Sequence, residues 1–63
     1  MIDPQPGDIV WNRGITSTMT AIVVSRNYTS ASLILYEVYL LDLGYYTWYG
    51  SKMLNNGSWE IAA

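Results

Sequence analysis

The ionic chemistry of this chain rests on Asp3, Asp8, Glu37, Asp42 and Glu60 against Arg13, Arg26 and Lys52. With no histidine and no cysteine, it lacks the commonest general base and metal ligand, the thiolate nucleophile and any disulfide. Serine, threonine and tyrosine hydroxyls are plentiful, but nothing nearby in sequence would activate them. Lys52 sits in a turn-like stretch without a sequence-adjacent partner. A two-carboxylate mechanism would have to gather acids from separate strands and turns. No run of carboxylates has calcium-loop spacing, and Gly7, Gly14, Gly44, Gly50 and Gly57 punctuate turns rather than form a phosphate loop. The expectation is a protein that is not an enzyme, takes no cofactor or metal, and has no evident small-molecule substrate.

The other chemistry available is aromatic. Tyr36, Tyr39, Tyr45, Tyr46, Trp48 and Tyr49 fall between Leu33 and Tyr49, LILYEVYLLDLGYYTWY. They either fill a core or form a platform of the kind that grips proline-rich peptides. Packing is the favoured reading for Tyr36, Tyr46 and Trp48. Tyr39, Tyr45 and Tyr49 are placed pointing away from the core, where each ring buried at a contact would contribute about 1.5–3 kcal/mol.

The elements that position these rings follow from β-propensity and turn chemistry. Leu33–Leu41 holds one charge, Glu37, and a turn at Asp42-Leu43-Gly44-Tyr45 leads into a second aromatic strand. Alternation puts Ile34, Tyr36, Val38 and Leu40 on one face, and Leu35, Glu37, Tyr39 and Leu41 on the other. Ile34, Val38 and Leu40, with Tyr36 beside them, are assigned to the core. The second face, marked by Glu37, is still largely apolar and needs a partner. Leu35, Tyr39, Leu41, Tyr45 and Tyr49 are therefore the candidate interface.

Upstream, Asp3-Pro4-Gln5-Pro6-Gly7-Asp8 is an extended lead-in ending in a turn. Ile9-Val10-Trp11 reads as strand one, closed by Asn12-Arg13-Gly14, and residues 15 to 20 as a hydroxyl-rich loop running into strand two, Met19–Arg26. Ile22 and Val24 are placed on one face of that strand. Asn27–Ser32 is expected to be a polar turn with a mobile tip. Its Asn27-Tyr28-Thr29 triplet, like Asn56-Gly57-Ser58, fits a glycosylation pattern but is read as a turn. Downstream, one turn of helix from Ser51 to Leu54, capped by Ser51, precedes Asn55-Asn56-Gly57 and a last strand, Ser58–Ile61.

The 63 residues make one domain, 1–63, near the size at which a core alone barely suffices. A hydrophobic content of 51% argues against disorder. No strand approaches the ~20 apolar residues of a membrane helix. The start, MIDPQPGD, has neither a basic nor an apolar signal region, so no secretion signal and a cytoplasmic location are expected. The net charge of −2, with scattered cations, disfavours nucleic acid as a partner.

Five short strands with one helical turn before the last predict an all-β fold, a small five-stranded barrel with a single 3-10 turn ahead of strand five. Pro6-Gly7-Asp8-Ile9-Val10-Trp11, Ala21-Ile22-Val23-Val24-Ser25, Tyr36-Glu37-Val38-Tyr39-Leu40 with Asp42-Leu43-Gly44, Trp48 with Lys52-Met53-Leu54, and Trp59-Glu60-Ile61 carry a resemblance across nearly the whole chain. The chain resembles the small SH3-like barrels, related to KOW modules, found in tailed bacteriophages, though Ala21 stands where such modules often carry a glycine. The resemblance implies a fold rather than an activity, and places the protein in an infected host cell or a virion. The expected partner is another protein or a second copy, giving a homo-oligomer. Nucleic-acid association would require Arg13, Arg26 and Lys52 to gather beside an exposed ring, and peptide binding would require Trp11, Tyr45 and Tyr49 to line one groove.

Overall fold

The computed structural model describes residues 2–14, 18–30 and 32–62, together with the backbone but not the side chain of Thr18. Five antiparallel strands form one sheet: β1 (Ile9–Arg13), β2 (Thr18–Ser30), β3 (Leu33–Leu40), β4 (Tyr45–Gly50) and β5 (Trp59–Ile61), in the order β4-β3-β2-β1-β5. A four-residue helix, α1 (Ser51–Leu54), joins β4 to β5. The all-β expectation holds, and among the described residues the edge strands β4 and β5 do not pair with each other.

The core lies on one face of this sheet. Val10, Ala21, Val23, Tyr36, Val38, Leu40, Leu54 and Trp59 are buried, and the strand residues among them follow from register. Val10 opposes Ala21, Ala21 opposes Leu40, and Val23 opposes Val38, so cross-strand neighbours stack their side chains on the same side. Ile34 is half-buried against this cluster. The assignment of Ile34, Tyr36, Val38 and Leu40 to one inward face therefore stands. Tyr49 of β4 and Trp59 of β5 bring the two edges together on the core side, their rings 5.4 Å apart.

Several stretches differ from the sequence reading. β1 runs on through Asn12 and Arg13, which pair with Met19 and Thr18 rather than closing the strand. Asn27–Ser30 is strand rather than turn, because β2 continues for 13 residues and pairs with β3 up to Ser30↔Leu33. Polar side chains do not prevent this, since the pairing is made by the backbone. The register between β2 and β3 also shifts, at Val23/Ser25 and at Tyr28/Ser30. The first shift adds a residue at Val24, which breaks the alternation and turns Arg26 and Tyr28 to the face where an uninterrupted strand would put Ser25 and Asn27. Part of the hydroxyl-rich loop, residues 15–17, lies outside the described residues.

Another difference is at α1, which forms an α-helical turn rather than a 3-10 turn. The Asn55 amide donates to Ser51 O at 3.1 Å as well as to Lys52 O at 3.3 Å, so the i→i+4 bond is made. Nor is Ser51 the cap. Gly50 occupies that position without a side-chain bond, while Ser51 Oγ accepts from the Ile34 amide at 3.3 Å.

The β3–β4 turn is Leu41–Gly44, closed by the Leu40↔Tyr45 pair, one residue earlier than the Asp42–Tyr45 read from the sequence, because Leu41 has already left the strand and Tyr45 is the first paired residue on the return. Leu40 O accepts from the Gly44 amide at 2.7 Å, and Gly44 has φ +77, a conformation that favours glycine. Asp42 ties this turn to β2, its Oδ2 accepting from the Thr20 amide at 2.7 Å.

Candidate functional site

The face of the sheet opposite the core carries an apolar row among polar positions such as Arg13, Thr20, Ser25 and Glu37. Ile9↔Ile22, Ile22↔Tyr39 and Tyr39↔Tyr46 are successive register pairs, so four apolar or aromatic side chains form a row across β1, β2, β3 and β4. The Tyr39 and Tyr46 rings meet edge to face with centroids 4.9 Å apart, a favoured aromatic arrangement. One pair along, Trp48 stands opposite Glu37, and Leu35 lies beyond it opposite Gly50. Tyr46 is 62% and Trp48 51% exposed, with Val24, Ile9 and Leu41 also open to solvent.

The five candidate interface residues divide. Leu35 and Tyr39 lie on this outer face, half-buried. Leu41 is exposed in the turn. Tyr45 and Tyr49 have the opposite orientation to the one expected: pairing of Tyr45 with Leu40 and of Tyr49 with Tyr36 puts both in the core-facing register. Tyr45 is open at the strand end, while Tyr49 packs against the core and its hydroxyl reaches Met19 Sδ at 3.8 Å. Tyr46 and Trp48, expected to fill the interior, are instead the outward residues. β4 carries no polar alternation, so its facing is set by the length of the turn before it.

A second feature lies on the core side, at the far end of the β2–β3 hairpin. An open cavity of about 550 Å³ is bounded by the N-terminal segment at Ile2 and Asp3, by Arg26 and Tyr28 of β2, and by Lys52 and Asn55 at α1. Asp3 is the hub of its wall. Its Oδ1 accepts from Arg26 Nε at 2.8 Å and from the Tyr36 hydroxyl at 2.6 Å, while Oδ2 accepts from Arg26 Nη2 at 2.9 Å. Asn55 holds the same segment, donating to Ile2 O at 3.1 Å and accepting from the Ile2 amide.

These contacts perturb the titrating groups. The hydrogen bond from Arg26, and after it that from Tyr36, holds the Asp3 carboxyl below the usual range. Burial, and after it the bond to Asp3, pushes the Tyr36 phenol up to about 12. Burial also raises Tyr49, with Tyr45 adding to the shift. A depressed carboxyl stabilises the fold above its unfolded value, near 3.9, and that contribution is lost as pH falls through the folded value. A raised phenol stabilises below its unfolded value, near 10, and that contribution is lost as pH rises toward 12. Urea midpoints are accordingly expected to fall on both the acid and alkaline sides. Asp3→Asn should flatten the acid fall, and Tyr36→Phe should shrink the alkaline fall, leaving the part due to Tyr49. A midpoint series unchanged by either substitution would contradict this assignment.

The three cations do not converge. Arg26 and Lys52 share the cavity, whereas Arg13 lies over the Trp11 ring at 4.9 Å. Trp11 is in the outward register and Tyr45 and Tyr49 in the inward one, so those three do not line one groove. Compared with family models, curated proteins and solved structures, the chain matches none. Among the described residues no helix is long and apolar enough to cross a membrane, and no group of three or more carboxylates is placed to hold a metal ion.

The outer row was half legible. Leu35 and Tyr39 follow from alternation in β3, but Tyr46 and Trp48 required the register. The cavity had no sequence signal, because the extra residue at Val24 is what turns Arg26 and Tyr28 toward it.

Proposed function

We propose that this protein is a non-enzymatic interaction or assembly module, built as a small SH3-like barrel, that associates with a second copy or another protein through its outer sheet face. The observation that carries the reading is the row Ile9–Ile22–Tyr39–Tyr46 flanked by Trp48. Ile9, Tyr46 and Trp48 are open to solvent, as are Val24 and Leu41, and large apolar side chains exposed together mark interaction surfaces. A standard interface takes about 800 Å² from each partner, so the row would form the centre of a contact that also takes in Leu35, Trp11 and the polar positions around them. The barrel reading draws support from the strand order, from a long β2 shifted in register midway, and from the meeting of Tyr49 with Trp59 across the sheet edges.

The test is molar mass by light scattering from roughly millimolar to micromolar protein, a range that resolves moderate self-association, with pull-down of a foreign partner if the chain stays monomeric. Tyr39→Asp puts a charge in the middle of the row, and association is expected to weaken at least about tenfold, or 1.4 kcal/mol. Association unaltered by Tyr39→Asp would remove this face from consideration.

A further inference from the structure

We propose that the cavity between the N-terminal segment, the end of the β2–β3 hairpin and α1 binds a small organic anion carried on an aromatic body, an aryl phosphate being the representative. The site is independent of the outer face, since Arg26, Tyr28 and Tyr36 are in the core-facing register whereas the row through Tyr39 is not. Its volume, about 550 Å³, lies in the range usual for small-ligand sites.

The charge and hydrogen-bond inventory gives the class. The lining carries Arg26 and Lys52 against Asp3, a net of one positive charge in a chain whose net charge is −2. Asp3 spends both oxygens on Arg26 and Tyr36, so it offers little to a cationic ligand. The Asn55 amide is likewise committed, to Ile2 and to Ser51 O. Donors are left over. Lys52 makes no ion pair among the described residues, and Ser51 Oγ accepts from Ile34 and so retains its proton to give. A site with surplus donors and a surplus positive charge selects an anion.

The rest of the lining selects the body. Tyr28 is 69% exposed and has the Arg26 guanidinium over its ring at 4.9 Å, an exposed ring on which a second flat group can stack. Ile2, Ile34 and Tyr36 complete the apolar wall. Neither inorganic phosphate nor a neutral phenol would satisfy both halves.

The experiment is an NMR titration of isotope-labelled protein with phenyl phosphate, inorganic phosphate and phenol in parallel. Phenyl phosphate is expected to give saturating shifts at Ile2, Tyr28, Ile34 and Lys52 with a Kd of about 0.1–1 mM, with the other two probes at least tenfold weaker. Lys52→Gln and Tyr28→Ala alter exposed side chains, and each should weaken phenyl phosphate at least fivefold. Tyr39→Asp should not change it, so loss of association at the outer face and loss of this site read out separately. The proposal is overturned if shifts fail to saturate by about 10 mM, if Lys52→Gln binds as the parent does, or if phenol alone binds equally. A 5′-phosphorylated oligonucleotide is titrated as a fourth probe, and much tighter binding of it, with shifts spreading to Arg13, would also overturn the proposal in favour of a nucleic-acid surface.

Discussion

Tyr36→Ala is expected to cost about 3–5 kcal/mol, as large aromatic truncations in a core do, and to leave much of the protein unfolded at room temperature. A domain of this length commonly holds only about 3–9 kcal/mol in total. The size of the effect comes from what Tyr36 joins. Its ring is only 1% exposed, within a cluster that includes Val23, Val38 and Leu54. Its hydroxyl reaches out of that cluster to Asp3 on the N-terminal segment. Truncation removes the packing and the tie together. Tyr36→Phe separates them, keeping the ring and losing one hydrogen bond to a carboxylate that is half exposed and stays paired with Arg26, for about 0.5–1.5 kcal/mol. Thermal and urea unfolding of both variants checks the difference. If Tyr36→Ala were no worse than Tyr36→Phe, the ring would not be the anchor of the core.

The same residue shows where the sequence is legible. Tyr36, Val38 and Leu40 are read correctly as inward because β3 contains no irregularity, so strict alternation holds from one end to the other. β2 starts with an equally clear pattern, Ala21 and Val23 inside, but loses it at Val24. An added residue at one position has no sequence signature in VVSR, yet it decides which way Arg26 and Tyr28 face, and with them whether a cavity exists. β4 is harder still. Its YYTWY is aromatic on both sides, so only the four-residue turn Leu41–Gly44, which pairs Leu40 with Tyr45, determines that Tyr46 and Trp48 face outward and Tyr49 inward. That the outer face would carry apolar side chains was therefore visible, while the membership of the row was not.

Long-range polar contacts are the least legible class. Asp3 and Asn55 read locally as a proline-flanked lead-in and a turn, and both descriptions are correct as far as they go. Their structural role depends on partners 23 and 33 residues away for Asp3 and 53 for Asn55. Nothing in either residue's own neighbourhood announces those partners.

Asn55→Ala is expected to release the N-terminal segment and to destabilise the fold by about 2–3 kcal/mol, as the loss of several half-buried hydrogen bonds of about 1 kcal/mol each would. The Asn55 side chain pairs with Ile2 much as a strand neighbour would, accepting from its amide and donating to its carbonyl, and it donates as well to Ser51 O at 2.8 Å. Ile2 packs against the core and Pro4 is buried, so the segment held in this way also covers apolar surface. Asn55→Asp discriminates between shape and hydrogen bonding. It retains the acceptor for the Ile2 amide but presents a carboxylate to two carbonyl oxygens where a donor stood, and is expected to cost at least as much as alanine. Hydrogen exchange is the decisive readout. In Asn55→Ala the Ile2 amide and Gly7, which donates to Val23 O at 2.8 Å, should lose protection well before the β2–β3 ladder does, because the latch acts on the segment and the ladder stands on its own register. Uniform loss of protection across the sheet would instead make Asn55 part of the global fold rather than a latch. Phenyl phosphate binding would then be expected to follow stability, whereas a true latch would lose the cavity wall, and the ligand with it, while the sheet remained intact.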